Sequence, residues 1–90
     1  MLRLPETLVH STASVALADL LKAMRAEPSA CVMVDAAGLI RFDSTALAVL
    51  LELRRAVAEA GKTLALQALP PRLGDLARLY GIAELLPVQG

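Results

Sequence analysis

Residues 30–35, Ala-Cys-Val-Met-Val-Asp, form an unbroken apolar run without alternation. A run this short is strand length, and its lack of alternation predicts a strand covered on both faces. Strands of that kind belong to parallel sheets flanked by helices. The neighbouring segments supply such helices. Ser14 offers an N-cap to a helix on which Val15, Leu17, Leu20, Leu21 and Met24 recur at helical spacing, and Pro28 closes it near Glu27. Residues 44–60 carry the strongest helical pattern, stopped by Gly61 where a left-handed residue is commonest. A third helix opens at Pro70-Pro71, presents Leu73, Leu76, Ala77, Leu79 and Tyr80, and ends at Gly81. Two further strands are expected at 4–10, where Pro5 restricts the strand to an edge or a start, and at 63–69. Residues 82–86 fit either a strand or a helical turn. The alternation of strand and helix implies right-handed crossovers and an α/β fold, a small mixed sheet with parallel pairs flanked by three to four helices.

Ninety residues are enough for one domain, with no room for a second core. Hydrophobic residues make up 57% of the chain and mean hydropathy is +0.60, more apolar than a small interior can hide. The surplus implies an uncovered patch on the surface, and such patches mark interaction sites. No apolar stretch approaches the ~20 residues that span a bilayer, because Glu52, Arg54, Arg55, Glu59 and Lys62 interrupt the most apolar region. The N-terminus lacks a long apolar core of the signal-peptide kind. These features predict a cytoplasmic protein without direct membrane insertion. Formal net charge is zero, and the nine basic residues are scattered, with Phe42 and Tyr80 as the aromatics. That pattern argues against nucleic acid as a partner. The single cysteine, Cys31, lies in the apolar run and is expected as a buried, reduced thiol.

Asp43-Ser44-Thr45 is the sharpest local feature, set between a loop and a strongly apolar helix. Asp43 or Ser44 can cap that helix. Hydroxyls at a helix start also sit in a positive local field, suited to a phosphate or to a partner's polar group. On the 44–60 helix, Glu52, Arg55 and Glu59 share a polar face, while Leu47, Leu50, Leu51, Val57 and Ala58 gather opposite. Arg54 falls within the apolar side. Its guanidinium either snorkels to an edge or meets a partner's carboxylate or carbonyl, and both readings place it at a rim. Phe42 suits a core plug, and Tyr80 suits either core packing or an interface with its hydroxyl wet. Catalysis finds no support. The one histidine, His10, is not placed beside Ser44 or Thr45, Cys31 and His10 make no ligand-spaced cluster, and no Gly-rich phosphate loop is present. Neither an enzyme nor a cofactor is expected.

The stretch Val32-Met33-Val34-Asp35, followed by Ile40-Arg41-Phe42-Asp43-Ser44-Thr45-Ala46-Leu47, resembles the STAS domain of anti-sigma-factor antagonists and anion-transporter tails. Gly61-Lys62-Thr63-Leu64-Ala65-Leu66-Gln67, then Leu76-Ala77-Arg78-Leu79-Tyr80-Gly81-Ile82 and Leu85-Leu86-Pro87, narrow the resemblance. They are similar to the branch formed by the small STAS subunits of the Mla phospholipid ABC transporters of the Gram-negative inner membrane. The similarity is carried by residues 30–87. It implies a STAS fold and an accessory role in maintaining outer-membrane lipid asymmetry. The implied partner is the cytoplasmic ATPase subunit (MlaF-like) and, through it, the permease, which would hold the chain at the inner membrane without insertion. In the sigma-regulating branch the phosphorylated residue corresponds to Thr45. In the transporter branch the important hydroxyl corresponds to Ser44. The resemblance implies that the transporter branch acts without being phosphorylated, so Thr45 and Ser44 are candidate phosphoacceptors on the sigma-regulating reading, and the expected partner-binding set is Arg41, Asp43, Ser44, Thr45, Arg54 and Tyr80. Ala46 stands where the family usually has glycine, and the N-terminal segment is shorter than usual, so the first strand pair is expected to shrink to one strand. The spare apolar surface also allows the isolated chain to dimerise.

Overall fold

A computed structural model describes residues 1–89. Six strands and three α-helices follow one another as β1 (Leu2–Arg3), β2 (Thr7–Leu8), α1 (Ala13–Ala26), β3 (Cys31–Asp35), β4 (Arg41–Phe42), α2 (Thr45–Glu59), β5 (Thr63–Gln67), α3 (Pro71–Leu79) and β6 (Val88–Gln89). Single 3-10 turns cover His10–Thr12 and Ala83–Leu85. The main sheet has the order β1-β3-β5-β6 and every neighbouring pair is parallel. A separate ribbon pairs β2 with β4, again in parallel.

Strand order in the main sheet rises steadily with the sequence. Right-handed crossovers that always step in one direction leave their helices on one face, because only a reversal of strand order moves a helix to the other. Registers bear this out. Leu2, Val34 and Leu66 line up across three strands, with Val32 beside Leu64, and all five are buried members of the helix-packed core. The opposite row holds Arg3, Cys31, Met33, Asp35, Thr63, Ala65 and Gln67. Arg3, Cys31 and Thr63 in that row are exposed, and Met33, Asp35 and Gln67 are half-buried. Ala65 is buried yet stands outside the core cluster.

Two expectations are thereby corrected. The β3 run is not covered on both faces, and Cys31 is an exposed thiol rather than a buried one. The cause is the winding just described, which an isolated apolar run does not reveal. The N-terminal strand also differs from the expectation of one strand over 4–10. Leu4-Pro5-Glu6 interrupts it, since proline has no N–H to donate, and leaves β1 in the main sheet and β2 in the ribbon. The first strand pair is therefore not reduced to one. Ser14 does not cap α1, which continues directly from the turn at His10–Thr12; there the Thr12 hydroxyl oxygen accepts the Val9 N–H at 3.0 Å.

The core is built on α2, whose Ala46, Leu47, Val49, Leu50, Leu53 and Val57 are buried. Full burial of Leu50 and Leu53 contributes roughly 1.5–3 kcal/mol each. The buried stripe is rotated from the expected one. Leu53 belongs to it, Ala58 is exposed and Leu51 only half-buried, which moves Arg54 off the apolar side and into solvent. Gly61 ends the helix at φ +73°, a left-handed conformation that glycine adopts without a steric penalty. Among the described residues no helix is long and apolar enough to cross a membrane.

Candidate functional site

The Asp43-Ser44-Thr45 cluster lies where the β2–β4 ribbon hands the chain to α2. The ribbon fixes its height. Glu6 carbonyl oxygen accepts the N–H groups of Ile40 at 2.8 Å and Arg41 at 3.0 Å, and Thr7 and Leu8 pair with Arg41 and Phe42. Leu8 and Phe42 point inward, Leu8 into the buried core and Phe42 half-buried against it. Phe42 is thus the core plug expected. On its ring sits the Arg72 guanidinium, 5.2 Å from the centroid, brought there from the first turn of α3.

Asp43 does the capping. Its Oδ1 accepts the Thr45 N–H at 2.9 Å, and its Oδ2 accepts the His10 N–H at 3.2 Å. One carboxylate therefore fixes the start of α2 and staples the turn at His10–Thr12 to it. The Thr45 backbone N–H foremost, then the Thr45 hydroxyl and the His10 N–H, hold the Asp43 carboxyl below the usual range. A lowered folded-state value means that its contribution to stability is full above the ordinary aspartate range. That contribution fades as pH falls through the lowered value.

Ser44, the N-cap residue by backbone position, makes no side-chain cap bond and is exposed. Thr45 beside it is half-buried. Arg41 is exposed, and Ile40 is 70% exposed despite its large apolar side chain. The fold thus assembles Arg41, Asp43, Ser44 and Thr45 on one edge. It does not bring Arg54 or Tyr80 to the same spot. Arg54 lies ten residues beyond Ser44, about 15 Å along the axis of α2, beside Val57, Ala58 and Lys62. Tyr80 follows the last residue of α3, at the end opposite Arg72, and is 57% exposed beside the exposed Leu79.

Two contributors escaped sequence reasoning. Ile40 stood in the stretch that carries the resemblance, but no contact role was assigned to it. Arg72 sits 30 positions away from Phe42, and a pairing at that distance has no local signature. A groove of about 590 Å³ also runs between β1 and α1, lined by Leu2, Pro5, Val15, Ala16, Leu20 and Ala23 among others. None of the expected partner-binding residues lines it.

The structure also brings His10 to this cluster, through its backbone N–H on Asp43, although the sequence did not place it there. The Asp43 carboxylate is engaged by two backbone amides, and Ser44, Ile40 and Arg41 beside it in the chain are left exposed. No curated protein matches the chain. The family described as Mlab, STAS domain, matches residues 1–87, including the N-terminal residues where the motif-level resemblance is thin. The chain belongs to this MlaB-like STAS family.

Proposed function

We propose that the chain is the accessory STAS subunit of a phospholipid-transporting ABC system, and that it binds the ATPase subunit through the start of α2 and the surface around it. Membership of an MlaB-like STAS family supports this reading, since STAS domains act as binding and regulatory modules rather than as enzymes. The observation that carries it is the division of labour at the helix start. Asp43 caps α2, and Ser44 is left exposed with a hydroxyl that no cap bond occupies. A residue kept for helix stability alone would have its hydroxyl on a free amide. Ile40 provides apolar area beside it. Binding of this kind acts by population shift, stabilising whichever ATPase conformation it fits better by the difference in affinity.

The test is co-purification with the ATPase subunit together with its ATP turnover. Ser44→Trp is expected to abolish co-purification and the stimulation of turnover, whereas Thr45→Ala retains both. Retention of full binding by Ser44→Trp overturns the proposal.

A second reading, an anti-sigma-factor antagonist switched by phosphorylation, is favoured by the same exposed hydroxyl. Accessibility favours Ser44 over Thr45 as the acceptor. This reading wins if Thr45→Glu or Ser44→Glu releases a kinase-like partner while no ATPase subunit binds.

A further inference from the structure

β1 is an outer strand of the main sheet, with β3 on one side and, among the described residues, no strand on the other. Its backbone groups divide between the two sides. The Leu4 N–H donates to the Asp35 carbonyl at 3.0 Å, so Leu2 and Leu4 turn their backbone groups toward β3. Alternation along the strand then turns the Arg3 N–H and C=O outward, where no hydrogen bond among the described residues reaches either group. The groove between β1 and α1 opens on this same side. Leu2 and Arg3 form one wall, and Val15, Ala16, Leu20 and Ala23 form the other. Helical spacing puts those four residues on one side of α1, and the short side chains of Ala16 and Ala23 leave the space. Thr7 and Ser11 also line the groove and join it to the Ser44 edge. Thr7 pairs with Arg41, and His10, next to Ser11, donates its N–H to Asp43.

We infer that this edge and groove together receive an extended segment of the partner, laid antiparallel beside β1 as a further strand. One partner residue opposite Arg3 exchanges both hydrogen bonds with it, N–H to C=O in each direction. The residues on either side of that one direct their side chains to the helix-packed face, as Leu2 does, and so into the groove. The segment is therefore extended and carries two apolar residues separated by one of any kind. Main-chain bonds set its register, and the groove selects its side chains. A second copy of this chain does not fit. Its own β1 region has the spacing in Leu2 and Leu4, but both are buried in their own core, and two Arg3 side chains would stand directly opposite each other. Pro5, the next outward position by alternation, has no N–H to donate, which centres the contact on Arg3. The inference rests on the proposed ATPase partner, because the groove runs into the Ser44 edge where that partner is proposed to bind.

The experiment measures backbone hydrogen exchange of the full chain, and its affinity for the purified ATPase subunit. The Arg3 amide is expected to exchange freely in the free chain and to slow about tenfold or more when the ATPase subunit is saturating. Arg3→Pro removes the outward N–H and leaves the bonds to β3 in place, since an edge strand tolerates proline where its N–H faces solvent. It is expected to bind about tenfold or more weakly. Arg3→Ala keeps the N–H, loses the charge and is expected to bind like the parent. Ala23→Trp, which fills the groove from an exposed position, is expected to weaken binding as well. Urea unfolding shows whether Arg3→Pro folds, and if it does not, exchange in the parent decides. An Arg3 amide that still exchanges freely in the complex overturns the inference. Equal binding by Arg3→Pro and Arg3→Ala, or undiminished binding by Ala23→Trp, does the same. In each of those cases the ATPase partnership still stands. A parent chain that does not bind the ATPase subunit at all overturns the proposed function, and this inference with it.

Discussion

The two faces of the main sheet are made from alternate residues of the same strands, yet they obey different rules. On one, Val32, Val34, Leu64 and Leu66 are branched aliphatics packed under three helices. On the other, Cys31, Met33, Asp35, Thr63, Ala65 and Gln67 are small, flexible or polar, and no helix covers them. Fully parallel sheets are ordinarily covered on both sides. This one is not, because its strands are laid down in a single direction. The composition of β3 conceals the difference, since Cys and Met count as apolar beside Val. What distinguishes the faces is shape: β-branched and γ-branched side chains fill a fixed interior, whereas Met adapts to an incomplete one.

Substitutions along neighbouring strands test that contrast directly. Leu66→Ala, on the covered face, is expected to lower stability by about 2–5 kcal/mol in urea unfolding, through lost transfer energy and the cavity left behind. Met33→Ser, one strand away on the open face, is expected to cost about 1 kcal/mol or less. Should Met33→Ser prove as damaging as Leu66→Ala, the second face is covered in solution and the contrast fails. Cys31→Ser is expected to stay within about 0.5 kcal/mol of the parent. Alkylation sharpens the same point, because an exposed Cys31 is expected to react with iodoacetamide in the folded protein at a rate comparable with that of the urea-unfolded chain. Strong protection of the thiol would contradict the open face.

Much of the fold was legible because its signals are local. Gly61 marked the end of α2 to within two residues, Pro70-Pro71 marked the start of α3, and the apolar run 30–35 marked β3. The short pieces were not legible. The two-residue strands β1, β2, β4 and β6 are defined by their partners rather than by propensity, and a pair of residues carries too little pattern to announce itself. The tail, open between strand and helical turn, contains a 3-10 turn at Ala83–Leu85 and then β6. At the site, Asp43 and Ser44 were both recognisable as capping residues, but which of them caps depends on the His10 amide reaching Asp43 from 33 positions away. The apolar stripe around Arg54 was misplaced for a similar reason, although Arg54 itself is exposed as a rim position requires. The helical wheel fixes relative angles, and only packing against the sheet decides which angle faces inward.

The steady rise of strand order has a consequence for synthesis. Each strand of the main sheet joins the outer edge of those before it, so none has to wedge between two already paired. As the chain leaves the ribosome, β3 can dock on β1, α2 can fold over that pair, and β5 can then extend it. Parallel pairing normally slows folding, because every new neighbour waits for a long crossover to close. Here the waiting is taken in the order of translation, which limits how long an unpaired β3 or β5 edge stays open to another nascent chain.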